Sequence, residues 1–396
     1  MNITICGPIN PSEFSDTLNY TGSLPNINRG ASAVNTYVRE LLRMGHNVVV
    51  VTQEVPNDEK NDIVLTGEKL TIHIVHSNAG IYISHALSRF YMVSRFKKVL
   101  NGYIPKTDVL HAQWSYDYAY ASMAFRKQVP VFCTVRDWAP YITSLQKGLK
   151  RWQWKAYTIM SNKVLGMDGV HLIANSEYTY NSIKKAFPTK EVAIIYNPID
   201  KELILNKKLV VPEKEEFVTI ASSVFEYRKN INRLLEAFHL FHKRHSEIVL
   251  NIIGDYSGHE KEIENLNASS LLEGVKLLGS MRHRQLIEII DKCTCLVHPA
   301  LEETFGNILL EGMARRVVVI GGYKSGAVPT VLQNGRCGIL CDVVDTASII
   351  EAMEQSLNEK ERERLINTAT KELNGKYNSE TIVNKHLMLY NKYVKN

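Results

Sequence analysis

Short apolar runs rich in β-branched residues alternate with longer amphipathic stretches along nearly the whole chain, in two successive series. Parallel strands need connections long enough to hold a helix, so this alternation predicts parallel sheets wrapped by helices. The first series places strands at 3–6, 48–52, 71–75, 109–112, 131–135, 169–175 and 192–196. A helix is predicted over 33–44, with Val34, Tyr37, Val38, Leu41 and Leu42 at helical spacing and Gly45 closing it. The polar, lysine-rich interval 200–216 interrupts the pattern. It then resumes with strands at 217–222, 248–254, 275–278, 295–298, 317–320 and 338–340, and helices at 230–245, 284–293, 306–315, 347–357 and 380–394. With 396 residues the chain is long enough for two domains. The expected division is a first domain over 1–199, a linker over 200–216, a second domain over 217–377 and a terminal helical segment over 378–396. Two doubly wound α/β sheets of this kind imply a ligand-binding cleft at the carboxyl ends of their strands.

Neither G-x-G-x-x-G nor a P-loop is present, which removes the usual support for a dinucleotide dehydrogenase or a nucleoside-triphosphatase. A formal charge of +6, spread along the chain, does not point to nucleic acid; it suits anionic small molecules or an acidic membrane surface. No apolar run approaches the ~18 residues of a membrane span. The opening Met1-Asn2-Ile3-Thr4-Ile5-Cys6 reads as a buried strand rather than a signal peptide, so a cytoplasmic protein is expected. Cys293-Thr294-Cys295 and the Cys337/Cys341 pair lack the second paired set of a metal site, and all six cysteines read as reduced structural thiols; no metal site is expected.

The densest chemical signal is Pro299-Ala300-Leu301-Glu302-Glu303-Thr304-Phe305-Gly306-Asn307-Ile308-Leu309-Leu310-Glu311-Gly312-Met313-Ala314. A helix starting near Gly306 leaves Glu303 in the preceding loop and puts Glu311 on an otherwise apolar helical face. The helix N-terminus beside Phe305, Gly306 and Asn307 favours an anion. The bland alternative is a solvated loop–helix junction; the whole pattern favours a site. Arg228-Lys229-Asn230 follows a strand and precedes a helix, where two cations can neutralise a diphosphate, or form a solvated basic turn. Asn28-Arg29-Gly30-Ala31 before the first helix permits close backbone approach, though alone it reads as a plain cap. Asn197-Pro198-Ile199-Asp200 reads as a structural turn. His111-Ala112-Gln113-Trp114 and Thr134-Val135-Arg136-Asp137-Trp138 follow strands of the first series; Arg136 and Asp137 are either cleft-facing groups or a local ion pair. The basic, aromatic segment 145–157 suits a membrane-surface helix or a solvated helix whose tryptophans pack inward, and the run 89–98 carries the same ambiguity.

Taken together, these residues resemble the family 4 (group 1) retaining glycosyltransferases of GT-B fold, over nearly the full length. The resemblance rests on Glu303-x7-Glu311, Arg228-Lys229, Ile253-Gly254-Asp255, Leu278-Gly279-Ser280, Asn197-Pro198-Ile199-Asp200, and Ser325-Gly326-Ala327-Val328-Pro329 with Asn334-Gly335. It implies two Rossmann-like domains facing a central cleft, the first on the acceptor side and the second binding a nucleotide-diphosphate sugar, UDP- or GDP-linked. By the same resemblance Glu303 holds sugar hydroxyls and Glu311 the ribose. Thr304, Phe305, Gly306 and Asn307 line the donor, and Lys229 with Arg228 stabilises the departing diphosphate. Ser280 and Met281 contact the base, Gly30 approaches the donor phosphates, and the last helix returns to the first domain. The implied reaction moves a hexose-type sugar to a hydroxyl of a glycan or lipid-linked glycan, as in surface polysaccharide synthesis, without metal or other cofactor. Peripheral contact with the inner face of the cytoplasmic membrane is a further option.

The chain departs from the family pattern where Ser222-Ser223 replaces Gly-Arg, Arg136-Asp137 replaces a frequent His-Asp, and Pro329-Thr330 replaces Pro-Glu. Two alternatives stay open at this point: a GT-B sugar-nucleotide epimerase, and a non-catalytic binding or scaffold relative.

Overall fold

The computed structural model describes residues 1–27, 31–53, 61–76, 85–207 and 214–394, with the side chains of 85–88 excluded; Gly30 lies outside the described residues. The chain forms two units, Met1–Pro198 with Ser379–Asn396, and Ile199–Asn378.

The first unit is built on eight described strands: β1 (Asn2–Cys6), β2 (Asn47–Gln53), β3 (Ile63–Thr66), β4 (Leu70–Val75), β5 (Val109–Gln113), β6 (Val131–Val135), β7 (Val170–Ala174) and β8 (Val192–Ile194). Their order is β3-β4-β2-β1-β5-β6-β7-β8, and every pairing is parallel except β3 with β4. Alternate residues of a central strand go to opposite faces. Accordingly Ile3, Ile5, Val48 and Val50 join one core with Tyr37, Val38 and Leu41 of α1 (Ser32–Arg43). Cys6, Val51, Leu110 and Ala112 join the other. That second face is covered by α2 (His85–Tyr103), α3 (Asp117–Ser122), and, after the short α4 (Ala139–Leu145), α5 (Gly148–Gly166); α6 (Glu177–Ala186) precedes β8.

The second unit carries six described strands, β9 (Glu216–Ser223), β10 (Val249–Asp255), β11 (Val275–Gly279), β12 (Cys295–His298), β13 (Val318–Gly322) and β14 (Ile339–Cys341). They run in the order β11-β10-β9-β12-β13-β14, all parallel. The helices are α7 (Ile231–His242), α8 (Glu260–Ala268), α9 (His283–Lys292), α10 (Asn307–Ala314), α11 (Val328–Val331), α12 (Thr346–Ser356) and α13 (Glu359–Glu372). Leu234, Leu235, Phe238 and Phe241 of α7 meet Ile349 and Met353 of α12 and Leu365 of α13 in its main core. Helix α14 (Ser379–Tyr390) belongs to the first unit, where Ile382, Val383 and Tyr390 join the α1 core.

Several boundaries differ from expectation for local reasons. Helix α7 starts at Ile231 rather than Asn230, because Asn230 is left-handed (φ 57°). Residues 201–207, expected to be linker, belong to the second unit: the Leu205 amide donates to the Ala314 carbonyl, and Arg315 donates to the Leu203 carbonyl. In the segment 145–157, Trp154 packs edge-on against Tyr116 and Tyr157, whereas Trp152 is exposed, so neither sequence alternative describes it alone.

Candidate active site

Arg228 and Lys229 lie side by side with Glu302 and Glu303, 74 residues later in the chain. The Leu301 amide donates to the Arg228 carbonyl at 2.9 Å and fixes the register of the two segments. Asn230 supplies the second fixing point: its side-chain amide donates to the carbonyls of Pro299 (3.1 Å) and Val343 (2.7 Å). That double role accounts for Asn at a left-handed position, since its short polar side chain tolerates this backbone better than most. In this register Arg228 reaches the Glu302 carboxylate (3.4 Å) and the Glu226 carboxylate (3.3 Å). Lys229 Nζ sits 3.0 Å from Glu303 Oε2.

Lys229 is only 9% exposed, which rules out the solvated basic turn. Its partner Glu303 is also within 3.3 Å of His298 Nε2, at the end of β12. Burial alone would raise the Glu303 carboxyl, but Lys229, His298 and Arg228 together override it and hold it well below the usual carboxylate range. Burial likewise opposes the charge of Arg228, and Glu303, Glu226 and Glu302 more than offset this, raising it.

Two glycines make the loop possible. Gly306, the N-cap of α10, has φ 84°, and a Cβ there would lie 2.9 Å from Leu309 Cδ1 and 3.2 Å from Glu303 Cγ. Gly326 (φ 62°) allows the Ala327 amide to donate to the Glu303 carbonyl at 2.8 Å; a Cβ on Gly326 would meet that carbonyl oxygen at 2.3 Å. The positive end of the α10 dipole therefore opens beside the Glu303 loop. One turn into α10, Glu311 is buried and paired with His283 Nε2 at 3.1 Å. His283 begins α9, directly after the loop that holds Ser280 and Met281. Arg228, Lys229, Glu303, Thr304, Phe305, Gly306, Asn307 and Glu311 thus come together in one unit, with Thr304 and Phe305 buried.

Arg136 and Asp137 belong to the other unit. Arg136 is buried and donates to Gln113 Oε1 (2.8 Å) and Asn197 Oδ1, so Asn197 does more than shape a turn. Asp137 accepts from Trp114 Nε1 at 3.2 Å. Burial, partly offset by Tyr37, lowers the Arg136 guanidinium to about 10.

His283 and His298 are the residues that sequence reasoning missed. His298 looks like a core residue of an apolar strand, and His283 like a polar residue of an amphipathic helix. Only the 3D placement of Glu303 and Glu311 gives either of them a partner.

A model described as "Glycosyltransferase Family 4" matches residues 31–203, and one described as "Glycosyl transferases group 1" matches 204–372. The chain belongs to the family 4, group 1 glycosyltransferases. Among its relatives is the N-acetyl-alpha-D-glucosaminyl L-malate synthase of Bacillus anthracis, 25% identical over 51% of this chain and 54% of that protein. Another is the alpha-1,3/1,6-mannosyltransferase ALG2 of Mus musculus, 24% identical over 59% of this chain and 60% of that protein. The glycosyltransferase chain thus spans little more than half the length of these curated relatives. Its GT-B fold is shared with the sucrose-phosphate synthase of Thermosynechococcus elongatus, which superposes with a TM-score of 0.76 at 16% identity over 99% of this chain and 98% of that one. No helix among the described residues of the glycosyltransferase is long and apolar enough to cross a membrane.

Proposed function

We propose that this glycosyltransferase moves a hexose-type sugar from a UDP- or GDP-linked donor to a hydroxyl of a glycan or lipid-linked glycan, with retention of configuration and without a metal ion, in the cytoplasm and at the inner face of the cytoplasmic membrane. The observation that carries this reading is the buried Lys229–Glu303 pair beside the N-terminus of α10. An anionic carboxylate that accepts from sugar hydroxyls, an ammonium for a phosphate and the positive end of a helix dipole then lie within one loop cluster. Glu311, held by His283, accepts from the ribose hydroxyls, and Ser280 and Met281 border the base. As the bond from the anomeric carbon to the diphosphate oxygen breaks, negative charge grows on the leaving phosphate. Lys229 and Arg228 stabilise that charge, and catalysis is mostly positioning and electrostatics. The acceptor oxygen bonds to the anomeric carbon on the face from which the diphosphate departs, and the leaving phosphate takes the hydroxyl proton, so configuration is kept. Arg136 and Asp137 are the candidate acceptor-side groups of the first unit.

Replacing Glu311 tests the donor assignment. Glu311→Ala is expected to weaken nucleoside diphosphate binding by roughly 1.5–3 kcal/mol per charge-assisted hydrogen bond lost. Unchanged affinity in titration calorimetry would remove Glu311 from the ribose. Turnover is expected to survive EDTA, because Arg228 and Lys229 supply the charge that Mg²⁺ gives other transferases. Loss of activity in chelator, restored by a divalent cation, would show that the phosphate site has been misassigned.

A further inference from the structure

Among the described residues, helices α2 and α5 of the first unit expose apolar and cationic side chains, and we propose that this surface docks on an anionic lipid bilayer. The proposal builds on the membrane-face reading above and specifies which surface makes the contact.

Helix α5 carries Leu149, Trp152 and Ile159 at 84%, 66% and 65% exposure. Trp152 and Ile159 are two turns apart and share one face, with Leu149 a turn ahead of Trp152. The opposite side of the same helix is anchored through Tyr157, Met160, Val164 and Leu165, so the exposed stripe is not a core face that has failed to find its partner. Large apolar side chains scattered singly on a surface need no explanation, but a line of them on one helix does. Cations border the line. Lys150, Arg151 and Lys155 are all exposed, and Lys155 Nζ lies 4.2 Å from the centroid of the Trp152 ring. No acidic residue occurs between Asp137 and Asp168.

The neighbouring helix extends the surface. α2 has no acidic residue either, and it exposes Phe90 beside Tyr120 of α3, the ring centroids 6.3 Å apart. Lys97 of α2 and Lys163 of α5 both reach that Tyr120 ring, at 5.8 and 5.4 Å. The carboxylates nearest α2 are already paired, the buried Asp117 with Arg89 and the partly exposed Asp62 with Arg95. Two helices without a single acidic side chain would repel a second copy of themselves and attract an anionic headgroup layer. Trp, Phe and Leu side chains then enter the headgroup–acyl boundary while the lysine and arginine stems reach outward to phosphates.

The test is sedimentation of the intact chain with large vesicles, either pure phosphatidylcholine or phosphatidylcholine mixed with phosphatidylglycerol. Binding is expected to the anionic vesicles only and to fall as salt rises, since headgroup attraction decays within a Debye length. Leu149→Ser with Trp152→Ser should abolish it. Lys150→Gln, Arg151→Gln and Lys155→Gln together should weaken it roughly 100-fold, from about fivefold per surface cation. Circular dichroism and nucleoside diphosphate binding should be unchanged in both variants, because all five side chains are exposed. Equal sedimentation with neutral vesicles, no sedimentation, or full binding by either variant would overturn the proposal. A change from dimer to monomer in the serine variant with vesicle binding intact would also overturn it, by showing that a second copy covers the stripe. Nucleotide binding by the wild-type chain is read on the same samples, so failure of the donor assignment is seen separately from failure of lipid docking.

Discussion

Lys229→Ala is expected to lower turnover by about 100- to 1,000-fold, the loss typical when one preorganised donor to a developing oxyanion is removed. Binding of a nucleoside monophosphate should change far less, because the charge that Lys229 stabilises is largest in the transition state. Lys229→Arg should recover only part of the rate: a planar fork does not place charge where a compact ammonium does. Near-normal turnover by Lys229→Ala on the true donor and acceptor would sink the phosphate-clamp reading.

The geometry adds a complication and a control. Lys229 Nζ is 3.0 Å from Glu303 Oε2, and both side chains are largely buried, so removing the lysine also leaves a carboxylate partly uncompensated. Breaking a buried pair from one side commonly costs about 3–5 kcal/mol of stability. His298 and Arg228 remain near Glu303, which should hold the cost to the lower end of that range. Glu303→Gln in the Lys229→Ala background relieves the uncompensated charge and should restore thermal stability. It should not restore turnover. If turnover returned with stability, neither the Lys229 ammonium nor the Glu303 carboxylate would be needed for the chemistry, and both assignments would fall.

How much of this was legible in the sequence depended on whether a feature was local. Parallel strands buried on both faces announce themselves as apolar runs, so the strand centres of both sheets were readable from 109–112 or 295–298 alone. β3 was missed: four residues forming an antiparallel edge, half of them solvent-facing, carry too short an alternation to register. α13 was missed for a different reason, since Glu359-Lys360-Glu361-Arg362-Glu363-Arg364 gives it a charged first half and only Leu365, Ile366 and Ala369 are buried. Within the site, Glu303 and Glu311 stood out because both fall in one contiguous motif, the first in a loop and the second on the helix that follows it. The pairing of Arg228 with Glu302 and Lys229 with Glu303 crosses 74 residues and follows from β9 lying next to β12, which no local pattern encodes. His283 was hidden because its partner Glu311 lies on another helix, and His298 because it sits inside an apolar strand, with nothing local to show that Glu303 turns back toward it.

Acid should destabilise the first unit well before its carboxylates protonate. His386 of α14 is buried against the rings of Tyr37, His111 and Tyr390, with Nδ1 bonded to the Ile382 carbonyl. Burial, helped by the charge of Arg136, pushes it down to about 4. Burial, His386 and Arg136 likewise place His111 well below the ordinary histidine value. His111 is tied in place by the Tyr390 hydroxyl at 2.6 Å and the Thr134 hydroxyl at 2.8 Å, and Tyr390 in turn meets Tyr37. Each histidine binds its proton more weakly when folded than when unfolded, so the unfolded state takes up more protons below about pH 6.5. Stability is therefore intact above that pH and is lost as pH falls toward the folded value. His386 alone should remove roughly 2 kcal/mol by pH 5 and about 3 kcal/mol by pH 4, and His111 adds to it in the same direction. Urea titrations at pH 7.5 and pH 5.0 cover the upper part of the window while most carboxylates stay ionised. Hydrogen exchange at α14 amides assigns the loss to the first unit in a chain of two units that need not unfold together. His386→Leu, or His386→Gln where a polar group is wanted, removes the titrating ring and should flatten the difference between the two pH values by that amount. An unchanged pH dependence in both variants would mean that the ring is already protonated in the folded chain at pH 5, and that burial does not hold this cluster neutral.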